Sequence, residues 1–310
     1  MWSKAETFRN KVILILLLLD AFLFYLFAKR PDYAGFGLSV GVSFLLLGVA
    51  VYYHYMRDEP KIAKACKATL HLVLYTMVGS IFNHLLVLLG RPTIDGQLAA
   101  WDRAFGFYWP DFIVAVQNVG WLDTLSSFAY SSSLPQIAFV VLALSFSGKL
   151  EKLDRVLNAY VISSLITILF WAALPSFGSY VHYTLSNEVP DIAGVVVNKA
   201  NVDLILQYRN GDWDTLWVSK LTGLIALPSF HTVMAVLTVY ACWNIRFAFL
   251  PILVLNIFVL ISVPIDGGHH LVDLFAGVAV AVCVIAFVER NNPAFMERLS
   301  KVKQDDLQPS

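Results

Sequence analysis

Residues 247–289 read FAFLPILVLNIFVLISVPIDGGHHLVDLFAGVAVAVCVIAFVE, two long apolar runs separated by the short polar segment DGGHH. A helix needs about 20 mostly apolar residues to cross the hydrocarbon core of a bilayer, and each run is close to that length. The pattern occurs six more times upstream. The eight candidate spans are roughly 11–29, 35–55, 68–90, 124–147, 154–174, 227–244, 247–264 and 269–289. The sequence therefore predicts an all-α fold, a polytopic membrane helix bundle with about eight transmembrane helices.

The composition of the chain agrees with a membrane protein and excludes several other classes. Of the 310 residues, 58% are hydrophobic and 14% are charged, whereas a soluble domain has about 45–50% apolar and about 25% charged residues. So few charged residues cannot cover a surface that faces water. The composition therefore excludes a disordered protein, a nucleic-acid-binding protein with a basic stripe and an ordinary cytosolic enzyme. The three cysteines are too few and too scattered for a disulfide framework or a cysteine-based zinc site.

The distribution of basic residues predicts the topology. Eight spans place both termini on one side, and fifteen of the 22 Lys and Arg residues flank the spans on that side. Because cytoplasmic loops are enriched in Lys and Arg, both termini are predicted to be cytoplasmic. The connections 91–123 and 175–226, and the short one near residue 266, then face outside. Within the two long ones, Leu98–Phe107 and Leu216–Ile225 are predicted to be amphipathic helices at the membrane interface.

The polar segment between the last two spans carries residues suited to chemistry. His269 and Asp273 are four residues apart, so on a helix they share one face. A carboxylate one turn from an imidazole fixes its tautomer and raises its nucleophilicity, as in a catalytic triad. Two alternatives are a hydrogen bond that only stabilises the helix end and a metal site of His269, His270 and Asp273. The side chain of His270 would point about 100° away from His269 on a helix, so a His270→Ala variant is predicted to retain measurable activity.

The segment Pro228-Ser229-Phe230-His231 is typical of a helix start. Pro228 suits the first turn, and Ser229 can cap it. The unpaired backbone N–H groups there attract an anion such as a phosphate group, and a histidine held among them can protonate a departing oxygen. Taken alone, the segment is equally explained by a capping serine beside an incidental histidine.

Arg91 ends the third span and is followed by Pro92. Its guanidinium has the right shape to bind a phosphate, although an arginine there can also be a simple interfacial anchor. His84 lies on the same helix face but about 10 Å deeper, and packing is its predicted role. An arginine, a helix N-terminus, two histidines and a carboxylate favour metal-independent phosphoryl transfer through a phosphohistidine.

Pro-Ser-x-His followed by His-x-x-x-Asp on the next-but-one helix resembles the type 2 phosphatidic acid phosphatase superfamily. Within it, the chain is similar to the branch that contains the inositol phosphorylceramide synthases. The resemblance covers roughly residues 80–290. The segments that carry it are Asp95–Gly106, Tyr130, Arg209–Gly211, Pro228–His231, Gly268–Asp273 and Gly277.

The resemblance implies a role for each residue of these motifs. It makes His269 the nucleophile, His231 the general acid and Asp273 the residue that orients the nucleophile. It also implies a phosphate-binding site, for which Arg91, Ser229 and Gly268 are the candidates.

Two positions depart from the superfamily pattern. Its lysine seven residues before Arg-Pro is His84 here, and its Ser-Arg pair is Ser262-Val263. One phosphate-binding arginine is therefore missing. Arg209 or Lys220 of the long outer loop is predicted to compensate.

The resemblance and the motifs together predict a metal-independent lipid phosphate phosphatase that works through a phosphohistidine and needs no cofactor. It is expected in a bacterial inner membrane with its active site facing the periplasm, and its partners are the bilayer and a lipid phosphate rather than nucleic acid. Its oligomeric state is left open. The alternative is a lipid phosphotransferase that moves a phospho-head group to an alcohol. A proton-coupled transporter is a distant alternative, because the polar residues cluster at one interface rather than near mid-membrane.

The predicted domain organisation has three parts. Residues 1–67 hold two N-terminal transmembrane helices, and residues 68–290 form a catalytic membrane domain of six helices. Residues 291–310 are predicted to be a cytoplasmic tail.

Overall fold

The computed structural model describes residues 2–188 and 196–291, and nearly all of its regular structure is helical. The helices are α1 (Lys4–Leu26), α2 (Tyr33–Tyr55), α3 (Pro60–Leu86), α4 (Asp95–Ala104), α5 (Trp109–Gln117), α6 (Gly120–Ser131), α7 (Ser133–Phe146), α8 (Leu150–Ala173), α9 (Ser179–Leu185), α10 (Lys199–Asn210), α11 (Phe230–Cys242), α12 (Arg246–Asp266) and α13 (Leu271–Arg290). Two short strands, β1 (Arg30–Pro31) and β2 (Thr215–Leu216), pair in parallel. The prediction of an all-α polytopic bundle is confirmed. Apart from Asn291, the predicted tail lies outside the described residues.

Among the described residues, five helices are long and apolar enough to cross a membrane: α2, α3, α8, α12 and α13. A sixth candidate is formed by α6 and α7 together, which are bent by 47° at the break between them. Pro135 explains the break, because proline lacks an N–H and its ring collides with the carbonyl four residues earlier.

The other two predicted spans correspond to α1 and α11, and neither meets these criteria. α11 has 13 residues and rises about 20 Å, which is less than the hydrocarbon core of about 30 Å. α1 has 23 residues, and charged side chains interrupt it. The eight predicted segments are therefore helical, while six of them qualify as spans by length and composition.

The apolar core holds α11 and α13 against α8. Leu153 and Val156 of α8, Val233 and Leu237 of α11, and Ala281 of α13 belong to one cluster and are completely buried. This packing sets the direction of the two helices whose N-termini carry the predicted catalytic residues.

A buried ionic cluster ties α1 to the bundle where α1, α3 and α8 begin. Asp154 of α8 pairs with Arg9 of α1 and with Lys64 of α3, at 2.6 Å each. Lys64 also pairs with Glu6 at 2.9 Å. Buried charges are tolerated when they have several partners, as these do. Two of the charged residues of α1, Glu6 and Arg9, thus join it to two central helices.

The connections that the sequence predicts on one side of the membrane contact one another at the other end of the bundle. The Ile94 N–H donates to the carbonyl of Pro175 at 2.9 Å, and the Val197 N–H donates to the carbonyl of Asp266 at 2.9 Å. α4 supplies the helix predicted near Leu98–Phe107.

The prediction of a second interfacial helix at Leu216–Ile225 is wrong. This segment consists of the end of β2, a 3-10 turn at Val218–Lys220 and irregular chain. Its polar backbone groups have partners elsewhere, since the Thr222 N–H donates to His84 Nε2 at 3.3 Å. An amphipathic pattern cannot distinguish such a covering loop from a helix.

Candidate active site

The loop between α12 and α13 places His269 beside Asp273, but not on a shared helix face. α13 begins at Leu271, so both histidines precede it and the predicted helical arrangement is wrong. Asp273 occupies the third helical position and reaches back, as in a capping box. Its Oδ2 accepts hydrogen bonds from His269 Nδ1 at 3.1 Å and from the His270 N–H at 2.9 Å. Because a carboxylate accepts, Nδ1 of His269 carries the proton and Nε2 is left with a lone pair.

Two glycines allow this loop to pass close to its neighbours. Gly268 has a φ of +58°, and a Cβ there would lie 2.4 Å from Cβ of Tyr180. The Gly268 carbonyl instead accepts a hydrogen bond from the Tyr180 N–H at 3.1 Å. A Cβ on Gly267 would lie 2.6 Å from Cδ2 of His269. Only glycine therefore fits at both positions without displacing a neighbour.

The start of α11 is pressed against the first turns of α13. Ser229 caps α11, and its Oγ accepts a hydrogen bond from the Thr232 N–H at 3.3 Å. The Ser229 N–H donates to the carbonyl of Asp273 at 3.0 Å, and a Cβ on Gly277 would lie 2.6 Å from the Ser229 carbonyl oxygen. Pro228 therefore precedes the cap, and its predicted place in the first turn is wrong. These contacts join the two motifs that are about 40 residues apart in the chain.

His231, in the first turn of α11, lies against Tyr130 of α6. The two rings stack with centroids 4.1 Å apart and an angle of 20°. Tyr130 also contacts the loop before α13, since its Cε2 lies 2.9 Å from the position of a Cβ on Gly267. Tyr130 thus touches both His231 and the loop that carries His269.

His231 and His84 line one cavity of about 250 Å³ between α3, α7, α8 and residues 222–225. The ring of His84 is buried, and both of its nitrogens have partners, the Ser80 carbonyl at 2.8 Å and the Thr222 N–H at 3.3 Å. His84 therefore joins the outer loop to α3, in keeping with its predicted packing role.

The structure brings Arg209 to Arg91 and separates both from Lys220. Arg209 Nη2 donates to the carbonyl of Arg91 at 3.1 Å, and its guanidinium lies 5.7 Å from the ring centre of Phe177. Phe177 immediately precedes Gly178, whose Cβ would lie 2.5 Å from the Gly268 carbonyl oxygen. Lys220 lines a different pocket, with Tyr208 and Trp213. Of the two candidates for the missing arginine, Arg209 is the one that contacts Arg91 and Phe177.

Sequence reasoning missed a second histidine–carboxylate group beside the first. The buried ring of His270 faces Asp102 and Asp95 of α4 and Ser179 of α9 rather than Asp273. Across residues 2–188 and 196–291, no three His, Cys, Asp or Glu side chains converge to hold a metal ion. The alternative metal site of His269, His270 and Asp273 is therefore not formed. A signal was present, because Asp95 and Asp102 are seven residues apart and share one helix face.

The comparison with protein families agrees with this arrangement. The model of the PAP2 superfamily matches residues 96–287, well over half of the chain. The chain belongs to the PAP2 superfamily. No curated protein and no solved structure matches it significantly.

PAP2 proteins are phosphoesterases or phosphotransferases, so this chain belongs to a family of enzymes. Its long apolar helices make it an integral membrane protein. The matched range contains Ser229, His231, His269 and Asp273, whereas Arg91 lies just outside it. The similarity to the inositol phosphorylceramide synthase branch stays a prediction.

Proposed function

We propose that this PAP2 protein is a lipid phosphate phosphatase whose nucleophile is His269 and whose general acid is His231. The observation that carries the proposal is the double use of Asp273. Its carboxylate accepts from His269 Nδ1, and its backbone carbonyl accepts from Ser229, two residues before His231. One residue thus holds the two histidine-bearing segments together, and a two-step displacement at phosphorus needs a nucleophile and a general acid that reach the same phosphate.

The reaction proceeds in two steps. First, Nε2 of His269 attacks phosphorus, the ester P–O bond breaks, and the departing oxygen takes a proton from His231. Water then attacks the phosphohistidine, gives a proton to His231 and breaks the P–N bond, which releases inorganic phosphate. An alcohol in place of water yields a new phosphate ester, and this is the phosphotransferase alternative. Asp273 stabilises the positive charge that His269 gains during the first step.

The phosphate group is proposed to bind between the N-terminus of α11 and the arginines near Phe177. The first N–H groups of a helix attract an anion, and a guanidinium can donate two parallel hydrogen bonds to a phosphate. Arg209 is half-buried and Arg91 is exposed, so both are reachable from outside the bundle. Ser229 and Gly268 contribute by shaping the two backbone segments that face this position.

Two adjoining cavities support a lipid as the substrate. The cavity that contains His231 shares five lining residues, Leu72, Thr76, Ser80, Leu134 and Ile137, with a second cavity of about 620 Å³. The second cavity reaches Phe36 and Ser39 of α2, a helix that is mostly exposed where the bilayer would be. Neither cavity is lined by a Lys, Arg, Asp or Glu side chain. We assign them to an acyl chain that enters between α2 and α7.

The location of the enzyme follows from the distribution of its basic residues. The excess of Lys and Arg around both termini supports a cytoplasmic position for them. The active site then faces the periplasm of a bacterial inner membrane, and its product is released there.

A screen of lipid phosphates tests the reaction. Purified protein in detergent micelles is given phosphatidic acid with a chelator present, with and without inositol, and both inorganic phosphate and inositol phosphate are measured. Released inorganic phosphate supports the phosphatase, and inositol phosphate, formed when an inositol hydroxyl attacks the phosphohistidine in place of water, supports the transferase. His269→Ala should lose activity by at least about a thousandfold, while His54→Ala, an exposed histidine of α2, should match wild type. Loss of all wild-type activity in chelator, or a fully active His269→Ala variant, would contradict the mechanism.

Filling the cavity tests the lipid site. Gly79 lines the cavity of His231, and a Cβ there would meet only Tyr75, at 3.7 Å. Gly79→Leu should therefore fold and raise KM for phosphatidic acid by about tenfold, while a short-chain, water-soluble phosphate ester keeps its KM. Gly41→Leu on the exposed face of α2 is the matched control, since no atom lies within 4 Å of its Cβ position. An unchanged KM in a folded Gly79→Leu variant would place the acyl chain elsewhere.

A further inference from the structure

His270 follows the proposed nucleophile in the sequence, but its ring points into a separate polar group. Nδ1 lies 2.9 Å from Ser179 Oγ and 3.1 Å from Asp102 Oδ2, and Nε2 lies 3.7 Å from Asp95 Oδ1. The ring is completely buried. One imidazole therefore connects the catalytic loop to α4 and to the start of α9.

The contacts of His270 favour a positively charged ring. Nδ1 faces Asp102 Oδ2 and Nε2 faces Asp95 Oδ1, so a carboxyl group lies beside each ring nitrogen. Burial by itself lowers the pKa of His270, but the interactions with Asp102 and Asp95 outweigh it and raise that pKa to about 9. Asp95 is held by three further donors, Ser176 Oγ and the N–H groups of Phe177 and Gly178.

The backbone of His270 connects this group to the catalytic pair. Its N–H donates to Asp273 Oδ2 at 2.9 Å, and that oxygen also accepts from His269 Nδ1 at 3.1 Å. On the other side, the Leu271 N–H donates to Asp102 Oδ2 at 3.2 Å. A shift of the His270 backbone would move the oxygen that orients the nucleophile.

We propose that His270 is a positioning residue whose ring, held by Asp102 and Asp95, fixes the backbone that sets Asp273 against His269. The inference rests on the proposed role of His269 as nucleophile. The prediction that His270→Ala retains measurable activity still stands, but its reason, a ring turned away from His269 along a helix, does not apply, because His270 precedes α13. Its ring takes no part in bond making or breaking and acts through Asp273.

His270→Phe is the first test, because it keeps a ring of similar size and removes both donors. Displacing a reacting group by about 1 Å costs on the order of a hundredfold in rate. We expect kcat to fall by about that factor, with KM for phosphatidic acid within about twofold of wild type. A residue that only stabilises the fold would instead lower the amount of folded protein and leave kcat of the folded fraction unchanged.

A pair of amide variants separates the two ring nitrogens. The side-chain nitrogen of Asn takes the place of Nδ1, and that of Gln reaches toward Nε2. His270→Asn can keep the hydrogen bond to Asp102, whereas His270→Gln retains only the longer contact to Asp95. We expect His270→Asn to keep at least about ten times the kcat of His270→Gln. If His270→Phe does not fold because Asp102 and Asp95 are buried without a partner, the comparison of the Asn and Gln variants serves as the test instead.

His182→Asn is the matched control. His182 of α9 is half-buried, and its ring centre lies 6.4 Å from that of His270, but the residue does not contact the catalytic loop through a hydrogen bond among the described contacts. It should match wild type in kcat and KM.

The outcomes separate this inference from the proposed function. If His269→Ala is inactive and a folded His270→Phe variant has wild-type kcat, the positioning role is wrong and the nucleophile stands. Equal kcat values for His270→Asn and His270→Gln would also overturn it. If His269→Ala is active, the nucleophile assignment fails first.

Discussion

Replacing Asp273 by Asn tests how the catalytic loop orients its histidine. In the wild type, Oδ2 accepts hydrogen bonds from His269 Nδ1 and the His270 N–H, and Oδ1 is buried with no partner among the described residues. An Asn side chain has the same shape and can place its oxygen at the Oδ2 position. The change removes the negative charge and leaves the packing intact.

The size of the effect follows from the two hydrogen bonds. A bond to a charged group contributes about 1.5–3 kcal/mol and a neutral one about 0.5–1.5 kcal/mol. Losing the charge while His269 becomes positive should therefore cost about 2 kcal/mol, or about 30-fold in kcat. If the amide turns around, its NH₂ group faces two donors and forces the wrong tautomer on His269, and the loss approaches about 10⁴-fold.

The assay measures initial rates of phosphate release from phosphatidic acid in micelles, at one pH and with chelator present, together with thermal unfolding. Asp203→Asn, on the exposed face of α10, is the control. We expect kcat to fall between these two limits and KM to change little, because Asp273 does not line either apolar cavity. Wild-type kcat in a folded Asp273→Asn variant, or a loss confined to KM, would refute the reasoning.

Three further predictions concern the loop, its pH dependence and the topology. Gly268→Ala should destabilise the protein by at least about 1–2 kcal/mol and lower kcat, because a Cβ at φ +58° would lie 2.4 Å from Tyr180; Gly120→Ala, with open space around it, is the control in thermal unfolding. The pKa of His270 is raised to about 9 in the folded protein, so the protonated ring stabilises the fold. This stabilisation, about 3 kcal/mol at most, is complete below about pH 6.5 and is lost as the pH rises through about 9. The thermal midpoint of wild type should therefore fall over this range more steeply than that of His270→Asn, and parallel curves would contradict the assignment. The ionisable groups that face His270 are Asp95, Asp102, Asp273 and His182. In a chain without its native cysteines, Asn210→Cys should react with a membrane-impermeant thiol reagent in intact cells and Ser147→Cys only after permeabilisation; the reverse pattern would invert the topology.

The positions of the long helices were largely predictable, because a bilayer imposes a length and an apolar composition on each local segment. Every predicted span contains a helix. The structure differs from the prediction where the composition of a helix does not reveal which residues it packs against. Glu6 and Arg9 of α1 pair with Lys64 of α3 and Asp154 of α8, and no local pattern reveals those partners.

The candidate site was predictable in its residues but not in its geometry. His269 and Asp273 do contact each other, yet they do so across a helix start rather than along a helix. Gly268 has a φ of +58°, outside the right-handed helical region, and α13 begins only at Leu271, later than the spacing suggests. Likewise, Arg209 and Lys220 were equivalent candidates in the sequence, and only the folded outer loop places Arg209 next to Arg91.

The sequence alone is sufficient for a membrane-embedded helical bundle with a histidine–carboxylate pair at one end, since both depend on residues close together in the chain. The sequence did not predict which way the ring of His270 points. That direction depends on Asp95, Asp102 and Ser179, which lie far from His270 in the chain. Carboxylates on a short interfacial helix are ordinarily solvated, and only burial against the catalytic loop makes these two bind a charged imidazole. Tertiary packing therefore decided that the ring of His269 faces Asp273 and that the ring of His270 faces Asp95 and Asp102.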